Sequence, residues 1–264
     1  MHLSTVSRIA VKVSEAIARL APNYIGFPTT HDECRKTQQD FYNIAQFPRV
    51  LGAIDGSHFK IQSPGGDDPE IFRNRKGYFS INGQFICNSH LKILDVVARW
   101  PGSSHDATIF NNSQIKRKFE NNNYTNCVLL GDSGYANKTY LMTPLLNPGT
   151  PAEQLYNESH IRTRNVVERL FGVLKRRFPI LAYGCRLKLE TFLTIIVATS
   201  VLHNAALNMG DIEAPPVPAE IDEHILEQLI RDGQIPGINN DDVREIAGSV
   251  QRRILINDYF QRRV

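Results

Sequence analysis

The chain has 264 residues, 42% of them hydrophobic and 22% charged, with a formal net charge of +3. That composition excludes disordered and fibrous classes, and the length suits one substantial core with extensions. The longest apolar run, LTIIVATSVL at 193–202, falls short of the roughly 18–20 residues of a membrane span, and MHLSTVSRIAVKV lacks the composition of a cleaved secretory signal, so the expectation is a soluble, intracellular chain with no membrane partner.

STVSRIAVKVSEAIARL at 4–20 places Val6, Ile9, Val13, Ile17 and Leu20 at helical spacing behind a Ser/Thr cap and predicts an amphipathic helix. Pro22 and Pro28 then interrupt the chain, and a second helix is expected over 32–45 before the FP pair at 47–48. The segment VLGAIDGSHF at 50–59 reads as a buried strand that ends in Asp55. Burying a lone carboxylate costs several kcal/mol or raises its pKa, so a partner for Asp55 is required. After the loop SPGGDDPE, the segments YFSINGQFIC and HLKILDVVARW flank Asn88 and Ser89 and predict a hairpin. PGSSHDATIFNNSQIKRKFEN at 101–121 reads as a turn with Ser or Asp capping a helix. CVLLGDSGY at 127–135 is a second short buried strand ending in an acid, Asp132. Long helices are expected over 160–178 and 189–208. The tail from Asp211 opens with APPVPAE and carries weaker helical signals near 221–231 and 241–254.

Charge is distributed unevenly. Between His160 and Lys188 there are eight Lys or Arg and one acid, Glu168, so this window carries +7 in a chain whose total is +3. Such a concentration is the footprint of a polyanion partner, although the same run also suits a solvated helix face. The four cysteines, Cys34, Cys87, Cys127 and Cys185, lie far apart and read as reduced, packed thiols.

Acids at the C-terminal ends of neighbouring strands are a common way for an open α/β sheet to build a site. Asp55 and Asp132 fit that pattern, and Glu168 borders the apolar stripe Val167, Leu170, Phe171, Leu174 and Phe178 of the basic helix. Gly172, one turn on from Glu168, interrupts the helix at a cost of roughly 1 kcal/mol against alanine and marks a face that something approaches closely. Three carboxylates held together raise one another's pKa, and a divalent cation relieves the conflict. Oxygen-only ligands favour Mg²⁺ or Mn²⁺ over zinc. Singly, each acid also reads as an ordinary residue: Asp55 and Asp132 as strand-to-turn positions, Glu168 as the partner of Arg164 at i−4.

Taken together, GAIDGSHF, NGQFICNSHLKILDVVARWPGSSHDATIF, LLGDSGY with LMTPLLNP after it, and NVVERLFGVLKRRFP followed by ATSVLHNAAL resemble the transposases of PIF/Harbinger DNA transposons and the host nucleases derived from them. The resemblance runs from about residue 35 to residue 208. It implies an α/β, RNase H-like mixed sheet flanked by helices, behind a helical segment at 1–47, with a nuclease domain at 48–208 and a helical C-terminal tail at 209–264. It further implies a DDE triad at Asp55, Asp132 and Glu168, with Asp106 as an additional metal ligand or supporting acid, two Mg²⁺ or Mn²⁺ ions, and cleavage of DNA phosphodiester bonds with strand transfer at the same site. Arg162, Arg164, Arg169, Lys175, Arg176 and Arg177 are the candidate DNA-backbone contacts. The family pattern includes a longer N-terminal helical region, and STVSRI resembles the start of its last helix. A Myb/SANT-like protein supplying DNA recognition, a nuclear location and room for a homo-oligomer are also implied.

Other chemistries fit less well. GDSG at 131–134 invites a Ser133 hydrolase, but Tyr135 stands where the final glycine would be needed. His58 and His105 near the acids invite zinc, without HxH or HExxH spacing to support it. The main competitor is a domesticated, catalytically silent protein that keeps the fold for DNA or protein binding.

Overall fold

The computed structural model describes residues 3–211 and 246–264. Its central strand, β1 (Val50–Lys60), pairs antiparallel with β2 (Ser80–Cys87), which pairs antiparallel with β3 (Ile93–Pro101). On the other side β1 runs parallel to β4 (Val128–Leu130), and β4 runs parallel to β5 (Leu141–Met142). The order is therefore β3-β2-β1-β4-β5. This mixed sheet, covered by helices on both faces, is an RNase H-like α/β fold.

Helix α1 (Leu3–Ala18) packs on α7 (Leu189–Asn208). Pro22 sits in the first turn of a short helix α2 (Ala21–Tyr24) rather than simply breaking the chain; proline's missing N–H costs nothing there. Thr30 and Glu33 form a reciprocal capping box that starts α3 (His31–Ala45). The 101–121 region divides into α4 (Asp106–Asn111) and α5 (Gln114–Glu120), because Ser113 caps the second with its own side chain.

Helix α6 (Pro151–Arg177) is 27 residues long and begins well before the expected 160. The start was encoded in GTPAE: Thr150 and Glu153 make a second capping box, with Pro151 at the first helical position. Its N-terminal half is bolted to the backbone after β5 and at the end of α3 by Tyr156 Oη to the Thr143 carbonyl at 2.9 Å and Ser159 Oγ to the Ala45 carbonyl at 2.6 Å. Further along, Phe171 meets Phe85 edge-on at 5.5 Å, which seats the helix across β1 and β2.

By length and composition alone, α7 is apolar enough to cross a membrane. Half of its most apolar window is buried inside the fold, where Phe192, Ile196, Val201 and Asn204 face the sheet and its neighbouring helices. Asn204 shows why: its amide accepts from Ile93 N at 2.9 Å and donates to Ile93 O at 2.7 Å and Tyr24 O at 3.0 Å, closing the outer edge of β3 as a strand would. The C-terminal helix Ile246–Leu255 leads into buried Ile256 and Phe260, and Phe260 packs on Phe47 and Tyr156. The helical signal near 221–231 lies outside the described residues.

His160 is fully buried on α6, and its Nε2–H donates to the Met142 carbonyl at 3.0 Å. Burial pushes its pKa down to about 3. A histidine held neutral in the fold and titrating near 6.5 when unfolded contributes stability above pH 6.5 and loses it as pH falls toward 3, by up to about 1.4 kcal/mol per pH unit. Urea unfolding of wild type and His160→Gln between pH 7 and 4 should give a shallower acid loss for the variant, with the remaining slope including His203, whose pKa burial also lowers.

Candidate active site

Register brings the first two acids together. Ala53 of β1 lies opposite Leu130 of β4 in a parallel pair, and Asp55 and Asp132 each stand two residues further on, beyond the point where β4 ends. β1 itself does not end at Asp55. It runs on to Lys60 because Asp55 through Lys60 keep pairing with Phe85 through Ser80 of β2. Asp55 is thus an in-strand residue whose outer neighbour has stopped, and that leaves a notch at the sheet.

Glu168 is brought to the same place by Arg164, its neighbour one turn back on α6. Arg164 Nη1 donates to Asp55 Oδ2 at 3.0 Å and Nη2 to Glu168 Oε1 at 2.6 Å. The Arg164 side chain is 6% exposed, that of Asp55 15% and that of Glu168 52%, so the guanidinium is buried while Glu168 reaches solvent. Asp55 Oδ1 also accepts from Gly56 N at 2.8 Å, and Asp132 Oδ1 accepts from Gly134 N at 2.9 Å. Burial pushes Asp55 up to about 8; Arg164 pulls the other way, and Asp132, Asp106 and Glu168 add to the rise. The same carboxylates hold Arg164 firmly protonated, its pKa raised despite burial.

Asp106 approaches from the other side. Strand alternation points Gly56 away from the face that carries Asp55, and a Cβ on Gly56 would stand only 2.3 Å from Asp106 Oδ1. Asn82 Nδ2 donates to that oxygen at 2.8 Å, and Gln84 Nε2 donates to the Asp106 carbonyl at 3.1 Å and to Tyr135 Oη at 3.0 Å. Asp106 does not serve as the helix cap: it is the first residue of α4, behind His105. Burial raises its pKa, and Asp132 adds to the rise, so these acids feel one another across the strand end.

Among the described residues, no three His, Cys, Asp or Glu side chains form a group that could hold a metal ion as it stands. In donor chemistry, Asp55 and Asp132 fit a hard divalent cation, being oxygen-only and mutually repelling. The space between Asp55 and Glu168 is occupied instead by the Arg164 guanidinium.

The basic candidates part ways. Arg164 faces inward, its guanidinium engaged by Asp55 and Glu168. Arg162 is exposed and paired with Glu158 at 2.9 Å, and Arg177 is largely buried, 3.4 Å from Asp211. Arg169 is half-buried, with its Nε lacking a partner among the described residues, and Arg176 is exposed. Lys175 is tied to the strand that carries Asp55: its Nζ donates to Ser57 Oγ at 2.8 Å and sits 5.4 Å above the Phe59 ring. Gly172 is exposed, and a Cβ there would meet nothing within 4 Å, so the helix surface between Glu168 and Arg176 is bare.

Arg75 and Lys76 were not anticipated, although the run RNRK at 73–76 was the available signal. Both are exposed and lie close enough to His58 to act on it: Lys175, Lys76 and Arg75 add to the burial that lowers His58, and Lys76 adds to the burial that lowers the Lys175 pKa. Arg75 Nη2 is also 2.7 Å from His105 Nδ1, and Arg75 and His105 both act on Asp106. Lys175, Lys76 and Arg75 thus form a basic rim beside the acids. His58 Nδ1 is bonded to Ser80 Oγ at 3.0 Å, so it braces the strands and does not turn to Asp55.

Residues 54–204 match the family model of the DDE superfamily endonucleases. The chain belongs to this family. It is also 34% identical over 224 residues to the proteins named "Putative nuclease HARBI1" from Bos taurus and Homo sapiens, covering 83% of this chain and 64% of theirs, and 26% identical over 227 residues to "Protein ALP1-like" from Arabidopsis thaliana, covering 80% and 55%. The chain thus spans a little under two thirds of the length of the curated relatives it matches. No solved structure matches it. The resemblance to Harbinger transposase-derived nucleases is therefore upheld, and the family match spans all four acids.

Gly56→Ala tests whether the close approach of Asp106 matters to this site. The methyl group must displace a carboxylate held by Asn82, at a cost of about 1–3 kcal/mol for overpacking. Urea unfolding should show that loss, and Asn82→Ala, which frees the carboxylate to move, should make the added Gly56→Ala cost smaller than in wild type.

Proposed function

We propose that this chain is a metal-dependent DNA endonuclease of the transposase-derived kind. The observation that carries the reading is the notch where Asp55 stands on β1 and Asp132 just beyond the end of the adjacent parallel strand β4, with Glu168 tied to Asp55 through Arg164. Asp55, Asp132 and Glu168 would hold Mg²⁺ or Mn²⁺, with Asp106 supporting from the opposite face of β1. When bound, such ions supply an activated water or 3′-hydroxyl and neutralise the leaving oxygen of a phosphodiester.

The chain's own residues do the rest. Lys175, Lys76 and Arg75 take the phosphates on either side of the scissile bond, and the bare helix surface at Gly172 lets the backbone approach Glu168. Tyr135 is 4% exposed, its hydroxyl bonded to Gln84 and its pKa pushed well up by burial, so it is unsuited to act as a phenolate nucleophile. Ser133 is buried too. Cleavage by water, followed by attack of the freed 3′-hydroxyl on a target strand, therefore needs no covalent protein intermediate. Such work belongs in the nucleus, with a Myb/SANT-like partner contributing DNA recognition.

The second reading, a silent DNA-associated protein, draws on the ion pairs that Arg164 already makes with two of the three acids. Nicking of labelled duplex DNA with Mn²⁺ separates the two. Wild type should cut, and Asp55→Ala, Asp132→Ala and Glu168→Gln should each lose at least about a hundredfold, while Ser133→Ala and Tyr135→Phe keep cutting without a trapped protein–DNA adduct. No cutting by wild type with intact DNA binding would favour the silent reading.

DNA binding itself should weaken with salt with a log-log slope of roughly −0.9 per phosphate contact on duplex DNA. Lys76→Glu and Lys175→Glu should lower affinity and flatten that slope in a filter-binding or anisotropy titration. Arg162→Glu, whose guanidinium is engaged by Glu158, should do so less.

A further inference from the structure

Arg164 stands where a cation between Asp55 and Glu168 would stand. Its two terminal nitrogens are spent one on each carboxylate, at 3.0 and 2.6 Å, and its side chain is 6% exposed. Among the described residues Asp132 makes no ion pair with the guanidinium; its carboxylate accepts a local bond from Gly134 N, so the Asp55–Asp132 side of the notch keeps like charges together while the Asp55–Glu168 side already holds a cation.

We propose that Arg164 is a resident counter-cation that blocks one of two metal positions, so that the DNA-free protein takes a single divalent ion, on the Asp55–Asp132 side. The second position, between Asp55 and Glu168, opens only when the guanidinium lets go. This rests on the metal-nuclease reading and adds an order of filling to it. A guanidinium binds phosphate as well as carboxylate in a bidentate fork, so an arriving DNA strand offers Arg164 another anion beside Lys175 and releases both carboxylate oxygens together. The protein thereby keeps its three acids folded and charge-compensated without assembling a complete two-ion centre until DNA is in place.

The neighbouring geometry agrees with a movable arginine. Arg164 and Glu168 lie on one helix at i and i+4, so letting go breaks a link to the sheet without unwinding α6, which Lys175 to Ser57 and Phe171 to Phe85 continue to hold. Glu168 is half in solvent, so its carboxylate has room to turn once released. Asp55 keeps its bond from Gly56 N either way.

Counting Mn²⁺ decides the matter. Binding to the DNA-free chain, followed by the loss of the free-ion signal in electron paramagnetic resonance, should give one tight ion for wild type. Arg164→Met, which keeps the apolar stem and removes the charge, should give two, with the spectrum of a coupled pair. Two ions in DNA-free wild type would overturn the proposal while leaving the metal-nuclease reading standing, and one ion in a folded Arg164→Met would overturn it as well. No bound ion in either protein would overturn the metal reading itself. Circular dichroism establishes whether the variant is folded; if it is not, the wild-type count decides alone, one ion supporting the proposal and two rejecting it.

Discussion

Carboxylates gathered at a strand end repel one another, and in a partly dry site burial and that repulsion together push the Asp55 pKa up, with a nearby cation working against the rise. Arg164 is the cation that this fold supplies. Because it reaches Asp55 on the central strand and Glu168 on the long helix together, it fixes how α6 lies on the sheet as well as the charge state of the site. A buried ion pair of this kind is weak evidence for stability, since desolvation offsets most of the attraction. Losing one partner is another matter, as it leaves an unpaired charge in the core. The arrangement is better understood as a device of geometry: it selects one register of helix against strand.

The rest of the fold serves that register. α6 is anchored at its N-terminal half by Tyr156, Asn157, Ser159 and His160 to the backbone around Ala45 and Met142–Leu145, and at its C-terminal half by Lys175 to Ser57. A helix of 27 residues is about 40 Å long, so these two sets of bonds act as a wide base. Glu168 and Arg164 lie between them. On the other face, Asn82 and Gln84 of β2 hold the first turn of α4 against Gly56, and the absence of a side chain at that one glycine lets Asp106 come close to the strand that bears Asp55.

Much of this was legible in the sequence. Two apolar segments that each run into an acid, and a basic helix with one glutamate, were sufficient to name Asp55, Asp132 and Glu168, and the linked motifs pointed to the family. What could not be read was direction. Nothing in NVVERLFGVLKRRFP says that Arg164, three residues before the Val167 stripe begins its run, turns inward while Arg176 turns out; that depends on an acid 109 positions earlier lying under it. Asp106 was found by its motif, yet its side of the strand follows from the parity of Gly56 against Asp55. The strand end was misplaced because Gly56 looked like a stop, when its partner Gln84 carries the ladder on. Arg75 and Lys76 were passed over since four residues of RNRK make no periodic pattern, and only the fold brings that loop beside Lys175.

On the proposed function, a divalent ion is held in the notch beside Asp55 and Asp132. Fe²⁺ substituted for Mg²⁺, with ascorbate and peroxide, generates hydroxyl radicals at the ion and cuts the polypeptide next to its ligands. Backbone scission mapped by mass spectrometry should then centre on Asp55 and Asp132, be suppressed by excess Mg²⁺ and be absent in Asp55→Ala. Scission confined to other parts of the chain, or cuts at the notch that persist unchanged in Asp55→Ala, would contradict it.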